Sequence, residues 1–173
     1  MEALGAGDHR AFEMLYERHR AVVFSFLVRL AGDTLTGEDL LQEAFLRVYR
    51  SRARYRPSGQ FRAWLFTIAR NVALEHLRRR GAAWEDPSGG AEEAAASERT
   101  EHQAEARELL ARLERAVDAL APGQREIVLL SRVAGMDATD IAAVVNSSPG
   151  AVRVALHRAL RKLSRSIFEG AGK

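Results

Sequence analysis

The sequence contains no cysteine and no long run of apolar residues. Without cysteine the chain has no disulfide and no thiolate metal ligand, which is typical of proteins in a reducing compartment. A membrane-spanning helix needs about 20 predominantly apolar residues, and the sequence has no such run. The first residues show no basic region followed by an apolar stretch. We therefore expect no signal peptide, no membrane insertion and a cytoplasmic location.

Residue patterns typical of enzymes are also missing. The five histidines are scattered, and neither a Walker A motif nor a dinucleotide-binding glycine pattern is present. No serine has a recognisable histidine partner for nucleophilic catalysis. We therefore expect no catalytic residue, no metal site and no cofactor, and we interpret the chain as a protein that is not an enzyme.

Lysine is scarce as well, since arginine supplies 24 of the 26 basic residues. Arginine suits contacts to phosphates and bases. The net charge of +3 conceals an uneven distribution of charge along the chain. Residues 1–80 carry 14 basic and 9 acidic side chains, residues 81–104 carry 1 and 6, and residues 105–173 carry 11 and 8. This pattern indicates a polyanionic partner for each of two basic blocks, which flank an acidic connector.

Most of the chain shows apolar residues at helical spacing, which predicts an all-α fold. Residues 81–104 break this pattern, because glycine, alanine, serine and glutamate dominate there, and they predict a flexible acidic linker. We therefore expect two small helical domains, at residues 1–80 and 105–173. The expected helices cover residues 8–31 (one helix or a broken pair), 36–52, 61–80, 105–120, 124–134 and two further helices between 136 and 165.

Aromatic residues and arginines are interleaved between Tyr55 and Asn71, across a Pro-Gly loop and into the third helix. In proteins that bind single-stranded nucleic acid, bases stack on aromatic rings and basic side chains hold the phosphates. The alternative is that Phe61, Trp64 and Phe66 are ordinary core residues. The local pattern leaves both interpretations open.

Residues 136–165 predict a helix-turn-helix. Asp137 can cap its first helix, Asn146 can take the left-handed conformation that ends it, and Ser148-Pro149 can start the second helix. The second helix has an apolar stripe on one side and basic residues on the other. The stripe consists of Val152, Leu156, Leu160 and Leu163. Such a helix can enter a DNA major groove, whereas the alternative is a helical hairpin whose basic side is only solvated surface.

Three motifs, in this order around the linker, resemble the extracytoplasmic-function (ECF) group of bacterial sigma factors, the promoter-recognition subunits of RNA polymerase. The resemblance covers residues 8–168. GEDLLQEAFLRVYR (37–50) looks like the helix that docks on the polymerase, and FRAWLFTIARNVALEHLRRR (61–80) looks like the segment that melts and reads the −10 element. LAPGQREIVLLSRVAGMDATDIAAVV (120–145) and PGAVRVALHRALRKL (149–163) are similar to the domain that reads the −35 element.

The resemblance implies a set of contact residues for each motif. Docking on the clamp helices of the polymerase β′ subunit would involve Asp39, Leu40, Gln42, Glu43 and Phe45. Contacts at the −10 element would involve Tyr55, Arg56, Ser58, Gln60, Phe61, Trp64, Arg70, Asn71 and Arg78. The loop at 55–60, with Phe61, would hold a flipped base, and Trp64 would brace that loop. Contacts at the −35 element would involve Ser148, Arg153, His157, Arg158 and Arg161.

The implied function is to direct core RNA polymerase to specific promoters and to help melt the −10 element. The implied partners are core polymerase, through its β′ clamp helices and its β flap, promoter DNA in duplex and melted form, and an anti-sigma factor. The acidic linker would thread the RNA exit path of the polymerase.

The recognition helix departs from the usual family pattern, because Arg153-Val154-Ala155 stands where a basic residue, serine and arginine are common. Two alternatives therefore stay open. A conventional helix-turn-helix regulator would bind duplex DNA without polymerase, but it would not need the loop at 55–61. An adaptor or antagonist would sequester partners without reading promoters, and the apolar Val154 and Ala155 are compatible with that role.

Overall fold

The structure is a computed structural model that describes residues 9–55, 60–81 and 101–169. These residues contain seven α-helices, one short 3₁₀ turn and no strand, which confirms the predicted all-α class. The helices are α1 (His9–Ala31), α2 (Thr34–Arg50), α3 (Phe61–Arg79), α4 (Glu101–Asp118), α5 (Pro122–Arg132), α6 (Ala138–Val145) and α7 (Pro149–Glu169), and the 3₁₀ turn is Arg52–Arg54. The predicted linker falls mostly outside the described residues.

Helices α1, α2 and α3 pack against one another in all three pairings. Their apolar residues lie three or four positions apart, so each helix buries one continuous side. Phe26 on α1 and Phe66 on α3 are fully buried and meet edge to face, with ring centroids 5.3 Å apart. Gly37 lets α2 approach α1 closely, because a Cβ at this position would overlap the side chain of Val28.

The helix ends differ from the predicted ones where a local cap decides them. Helix α2 begins at Thr34 rather than Thr36, because the Asp33 side chain accepts a hydrogen bond from the Thr36 backbone N–H at 2.7 Å. It ends at Arg50, where the chain enters the 3₁₀ turn. Helix α4 begins at Glu101, four residues before the expected start, since the residues before Glu105 are good helix formers.

The predicted helix-turn-helix is confirmed in helices α6 and α7. The Asp137 carboxylate accepts hydrogen bonds from the backbone N–H groups of Thr139 and Asp140, both at 2.8 Å. Asn146 is left-handed, with φ 54°, and ends α6. The hydroxyl of Ser148 accepts from the Ala151 backbone N–H at 3.2 Å and caps α7, which starts at Pro149.

The largest buried cluster joins the N-terminal helices α1–α3 to the C-terminal helices α5–α7. Helix α6 packs on α3, and α5 packs on α1. The guanidinium of Arg125 on α5 strengthens this contact, because it donates to the Arg29 carbonyl at the end of α1 and pairs with Asp118 at 2.9 Å. A smaller cluster holds α4, α5 and α7 together around Ala159 and Leu163. The C-terminal helices therefore lie directly against α1 and α3.

Candidate nucleic-acid and polymerase interfaces

Helix α2 presents one exposed side that contains part of the predicted docking motif. Asp39 and Gln42 are exposed on this side. Leu40 and Phe45 are only 5% and 3% exposed, because they belong to the buried side of the same helix. They are core residues that fix the orientation of α2, and their role in docking stays a prediction.

Two exposed leucines flank Asp39 and Gln42. Leu35 is 78% exposed and Leu46 is 41% exposed. The spacing of the four residues, four, three and four positions, places them on one side of the helix. We call Leu35, Asp39, Gln42 and Leu46 the α2 stripe. The predicted docking residues do not include these two leucines. Both nevertheless lie outside the buried apolar repeat of α2, which marks them as surface residues.

Glu43 lies beside the stripe and is held by a charged network. Its carboxylate accepts from the Arg47 Nε at 2.7 Å, and the two terminal nitrogens of Arg47 donate to both oxygens of Glu75 on α3 at 2.9 and 2.8 Å. The hydrogen bonds from Arg47 lower the pKa of Glu75. In turn, the hydrogen bond with Glu75 and, to a smaller extent, that with Glu43 raise the pKa of Arg47. The network fixes α2 against α3 and holds Glu43 in one orientation.

Three aromatic rings cluster at the beginning of α3. The ring centroids of Tyr55 and Trp64 lie 4.9 Å apart, and Phe61 lies 5.9 Å from each of them. All three side chains are half-buried, whereas Phe66 is buried in the core. The core interpretation therefore holds for Phe66, while the other rings form a surface cluster. We call Tyr55, Phe61 and Trp64 the aromatic cluster.

The neighbours of the aromatic cluster are polar and basic. His19 on α1 lies against Phe61, with ring centroids 5.4 Å apart. Burial lowers the pKa of His19, and the nearby cations Arg18 and Arg62 lower it further. Gln60 is exposed at the N-terminal end of α3. Arg56 and Ser58, two predicted −10 contacts, lie outside the described residues.

The remaining predicted −10 residues divide between two sides of α3. Trp64, Asn71 and Arg78 are seven residues apart, so they share one side of the helix, where Asn71 and Arg78 are exposed. Arg70 points instead toward the C-terminal helices. Its Nε donates to Oε1 of Glu126 on α5, and its Nη2 donates to Oε2 at 3.3 Å.

The ion pair between Arg70 and Glu126 is largely withdrawn from water. The side chain of Glu126 is 5% exposed and that of Arg70 is 23% exposed. Arg62, two turns earlier on α3, donates to the carbonyl of Ala134, two residues after the end of α5. Glu126 is not among the contact residues that the sequence motifs indicate. Its spacing to Leu129 and Leu130 nevertheless places it on an apolar side of α5, where a carboxylate needs a partner.

The predicted −35 residues lie together on α7. Arg153, His157, Arg158 and Arg161 are all exposed, as expected for the basic side of this helix. Val154 is 50% exposed on the same surface. On the opposite side, Val152 and Ala159 are fully buried. Helix α7 therefore presents a basic surface that includes one large apolar residue, Val154.

Two absences concern the part of the chain that the structure describes. None of its helices combines the length and the apolar character needed to cross a membrane. Within the same ranges, histidine, aspartate and glutamate side chains form no group that could hold a metal ion.

Comparison with known proteins gives the family. The chain matches the family model for Sigma-70 region 2 over residues 15–83 and that for Sigma-70, region 4 over residues 110–163. It is 39% identical over 171 residues to the RNA polymerase sigma factor CarQ of Myxococcus xanthus, covering 98% of this chain and 96% of CarQ. It is 32% identical over 173 residues to the ECF RNA polymerase sigma factor BldN of Streptomyces coelicolor, covering 99% of this chain and 66% of BldN.

A solved structure is similar over the whole chain. CnrH, in complex with the cytosolic domain of CnrY, superposes with a TM-score of 0.75 at 26% identity, covering 99% of this chain and 96% of CnrH. The sequence relationship thus extends through α1–α7, including the helix-turn-helix. The chain belongs to the ECF family of RNA polymerase sigma factors, which initiate transcription and are not enzymes.

Proposed function

We propose that this chain directs core RNA polymerase to promoters with −35 and −10 elements and helps to melt the −10 element. The observation that carries the proposal is the match to regions 2 and 4, in that order, on a chain 39% identical to a sigma factor. We assign residues 1–80 to docking and −10 recognition, residues 81–104 to a linker and residues 105–173 to −35 recognition. The protein works in the cytoplasm, where polymerase and promoter DNA are found.

The α2 stripe is the proposed docking surface for the β′ clamp helices. Asp39 and Gln42 supply polar contacts, and Leu35 and Leu46 supply apolar area on either side of them. A patch with apolar and polar groups in one row is typical of a surface that binds another protein. Glu43 adds a carboxylate in a position that Arg47 fixes.

The aromatic cluster is the proposed site for an unpaired base of the −10 element. Extracting a base from the duplex costs a few kcal/mol, and stacking on aromatic rings can offset about 1–3 kcal/mol of this per base. Asn71 and Arg78 lie on the same side of α3 as Trp64 and are placed to contact the backbone of the captured strand.

Arg70 cannot serve the −10 element while it is paired with Glu126. Helix α6 also packs on α3, so a strand that used Arg70 would have to displace the C-terminal helices locally. We propose that Arg70 contacts DNA only after this ion pair opens.

Helix α7 is the proposed reader of the −35 element. The N-terminal residues of a recognition helix contact base edges in the major groove, and flanking cations hold phosphates. Arg153, His157, Arg158 and Arg161 are all exposed for such contacts. Ser148 lies at the N-terminus of α7, where backbone N–H groups can donate to a phosphate.

An anti-sigma factor is a proposed further partner. The support is that CnrH, which is similar to this chain over its whole length, was solved in complex with the cytosolic domain of another protein. The same overall arrangement of helices in this chain would present a similar surface.

Reconstituted transcription tests the proposed function. Purified chain and core polymerase are incubated with a library of genomic promoter fragments, and the RNA 5′ ends are sequenced. We expect start sites downstream of a shared pair of sequence elements that disappear when the chain is omitted. Start sites that are the same with and without the chain would contradict the proposal.

A further inference from the structure

Val154 occupies the centre of the outward side of α7. The buried side of this helix is formed by Val152, Leu156, Ala159 and Leu163. At 100° per residue, Val154 lies almost diametrically opposite the middle of that side. The side chain is 50% exposed, although it is apolar.

The residues around Val154 leave it uncovered. One turn earlier, at the same outward position, stands Gly150, and a Cβ built there would meet no atom within 4 Å. His157 and Arg158, three and four residues later, are exposed and flank Val154 on its two sides. The outward surface therefore has an apolar centre between a histidine and an arginine, with an open approach at its N-terminal end.

The proposed function gives this surface a definite partner. If α7 enters a major groove, its outward side faces the base edges and its flanking cations face the phosphates. Val154 is the sixth residue of α7, within the N-terminal part that reaches the bases. A valine side chain offers no hydrogen bond, so it cannot satisfy the donors and acceptors of guanine, adenine or cytosine.

The major groove contains one apolar group on the ordinary bases, the 5-methyl group of thymine. Opposite another base, Val154 would remove water from a polar edge without replacing the lost hydrogen bond, which is unfavourable. Opposite thymine, the two apolar groups remove each other from water.

We propose that Val154 is a specificity-determining residue that selects a thymine in the −35 element by contact with its 5-methyl group. This proposal rests on the proposed function of the chain as a promoter-reading sigma factor. Val154 would thereby supply an apolar contact with a base, which the charged residues of α7 cannot supply.

The test uses deoxyuridine, which lacks only the methyl group of thymine. The −35 element is first defined by selection with core polymerase and the full chain. Each thymine of that element is then replaced singly by deoxyuridine, and holoenzyme affinity is measured. At one position we expect the affinity of the holoenzyme for the element to fall about fourfold, because the burial of one methyl group favours binding by about this factor.

The same substitutions are repeated with Val154→Ala and with Ser164→Ala. Alanine favours helix and Val154 is half exposed, so this variant keeps the fold. With Val154→Ala, thymine and deoxyuridine should bind equally at that position. Ser164 is exposed on α7 ten residues after Val154, beyond the N-terminal part of the helix that reaches the bases, and Ser164→Ala should retain the fourfold difference.

Two results would overturn the Val154 proposal while leaving the sigma function intact. One is an element in which no thymine is sensitive to removal of its methyl group. The other is a Val154→Ala variant that still prefers thymine to deoxyuridine fourfold. Failure of the selection to yield any −35 element would instead contradict promoter reading by α7, which is part of the proposed function itself.

Discussion

Removing the carboxylate of Glu126 should weaken the attachment of the C-terminal helices to α3. Loss of one partner from a fully buried ion pair costs about 3–5 kcal/mol, because the other charge stays buried. Arg70 keeps 23% of its side chain exposed. Water therefore compensates part of the loss, and we expect Glu126→Ala to weaken the contact between α3 and α5 by about 2 kcal/mol.

A change of this size has a measurable effect on DNA binding. A free energy of about 2 kcal/mol corresponds to about a 30-fold change in an equilibrium constant. If the state with Arg70 paired to Glu126 dominates in the unmodified chain, Glu126→Ala raises the fraction of molecules with Arg70 unpaired by up to that factor. The apparent affinity for single-stranded DNA rises with this fraction. The assay is fluorescence anisotropy with a labelled single-stranded −10 oligonucleotide and the full chain.

Glu114→Ala is the matched control for Glu126→Ala. Glu114 on α4 also faces an arginine of the N-terminal helices, Arg29, but the two atoms are 3.9 Å apart and both side chains are well exposed. Exposed pairs contribute about 0–1 kcal/mol. Both variants remove one negative charge, so a general electrostatic effect on DNA binding would be equal in the two. Equal affinities of the two variants for the oligonucleotide would refute the reasoning.

Two further predictions concern α2. Asp39→Arg should abolish co-purification with core polymerase at an unchanged melting temperature, because Asp39 is exposed on the α2 stripe. The control is Glu13→Arg, a charge reversal at an exposed position of α1, which should bind core polymerase normally. Binding of core polymerase by Asp39→Arg would show that the stripe is not part of the docking surface. Asp33→Ala should lower the free energy of unfolding in urea by about 1 kcal/mol at pH 7. The hydrogen bonds from Thr36 lower the pKa of Asp33 in the folded protein. The cap therefore stabilises the fold fully at pH values above the pKa of an unfolded aspartate, about 4. This stabilisation is lost as the pH falls through the lower pKa of the folded state. The free energies of unfolding of the unmodified chain and of Asp33→Ala should therefore converge at low pH. A difference between them that stays constant down to about pH 2 would contradict this.

Features that depend on neighbouring residues could be predicted from the sequence. The caps at Asp137 and Ser148 and the left-handed Asn146 need only residues within one turn, and the structure confirms all three. The α2 cap was missed because Thr36 and Asp33 are both good capping residues, and only the observed hydrogen bond distinguishes them.

Features that depend on distant residues could not be predicted. Arg70 and Glu126 are 56 positions apart, and helical periodicity identifies an apolar side without identifying what packs on it. For the same reason the sequence left open how the C-terminal helices sit against α1 and α3. In the docking motif, the family resemblance implies roles for Leu40 and Phe45 together with Asp39. Helical periodicity adds that Leu40 and Phe45 lie on the buried side of α2, as the structure shows.

The most direct test of the central claim is permanganate reactivity of thymines in a selected promoter, since permanganate oxidises unpaired thymines. We expect reactive thymines at the −10 element only when this chain and core polymerase are both present. Replacing the aromatic cluster residue Phe61 by alanine should reduce that reactivity while binding of the −35 duplex is retained. Binding of the chain alone to duplex promoter DNA, with no reactive thymines after core polymerase is added, would contradict the claim and identify a conventional duplex-binding regulator.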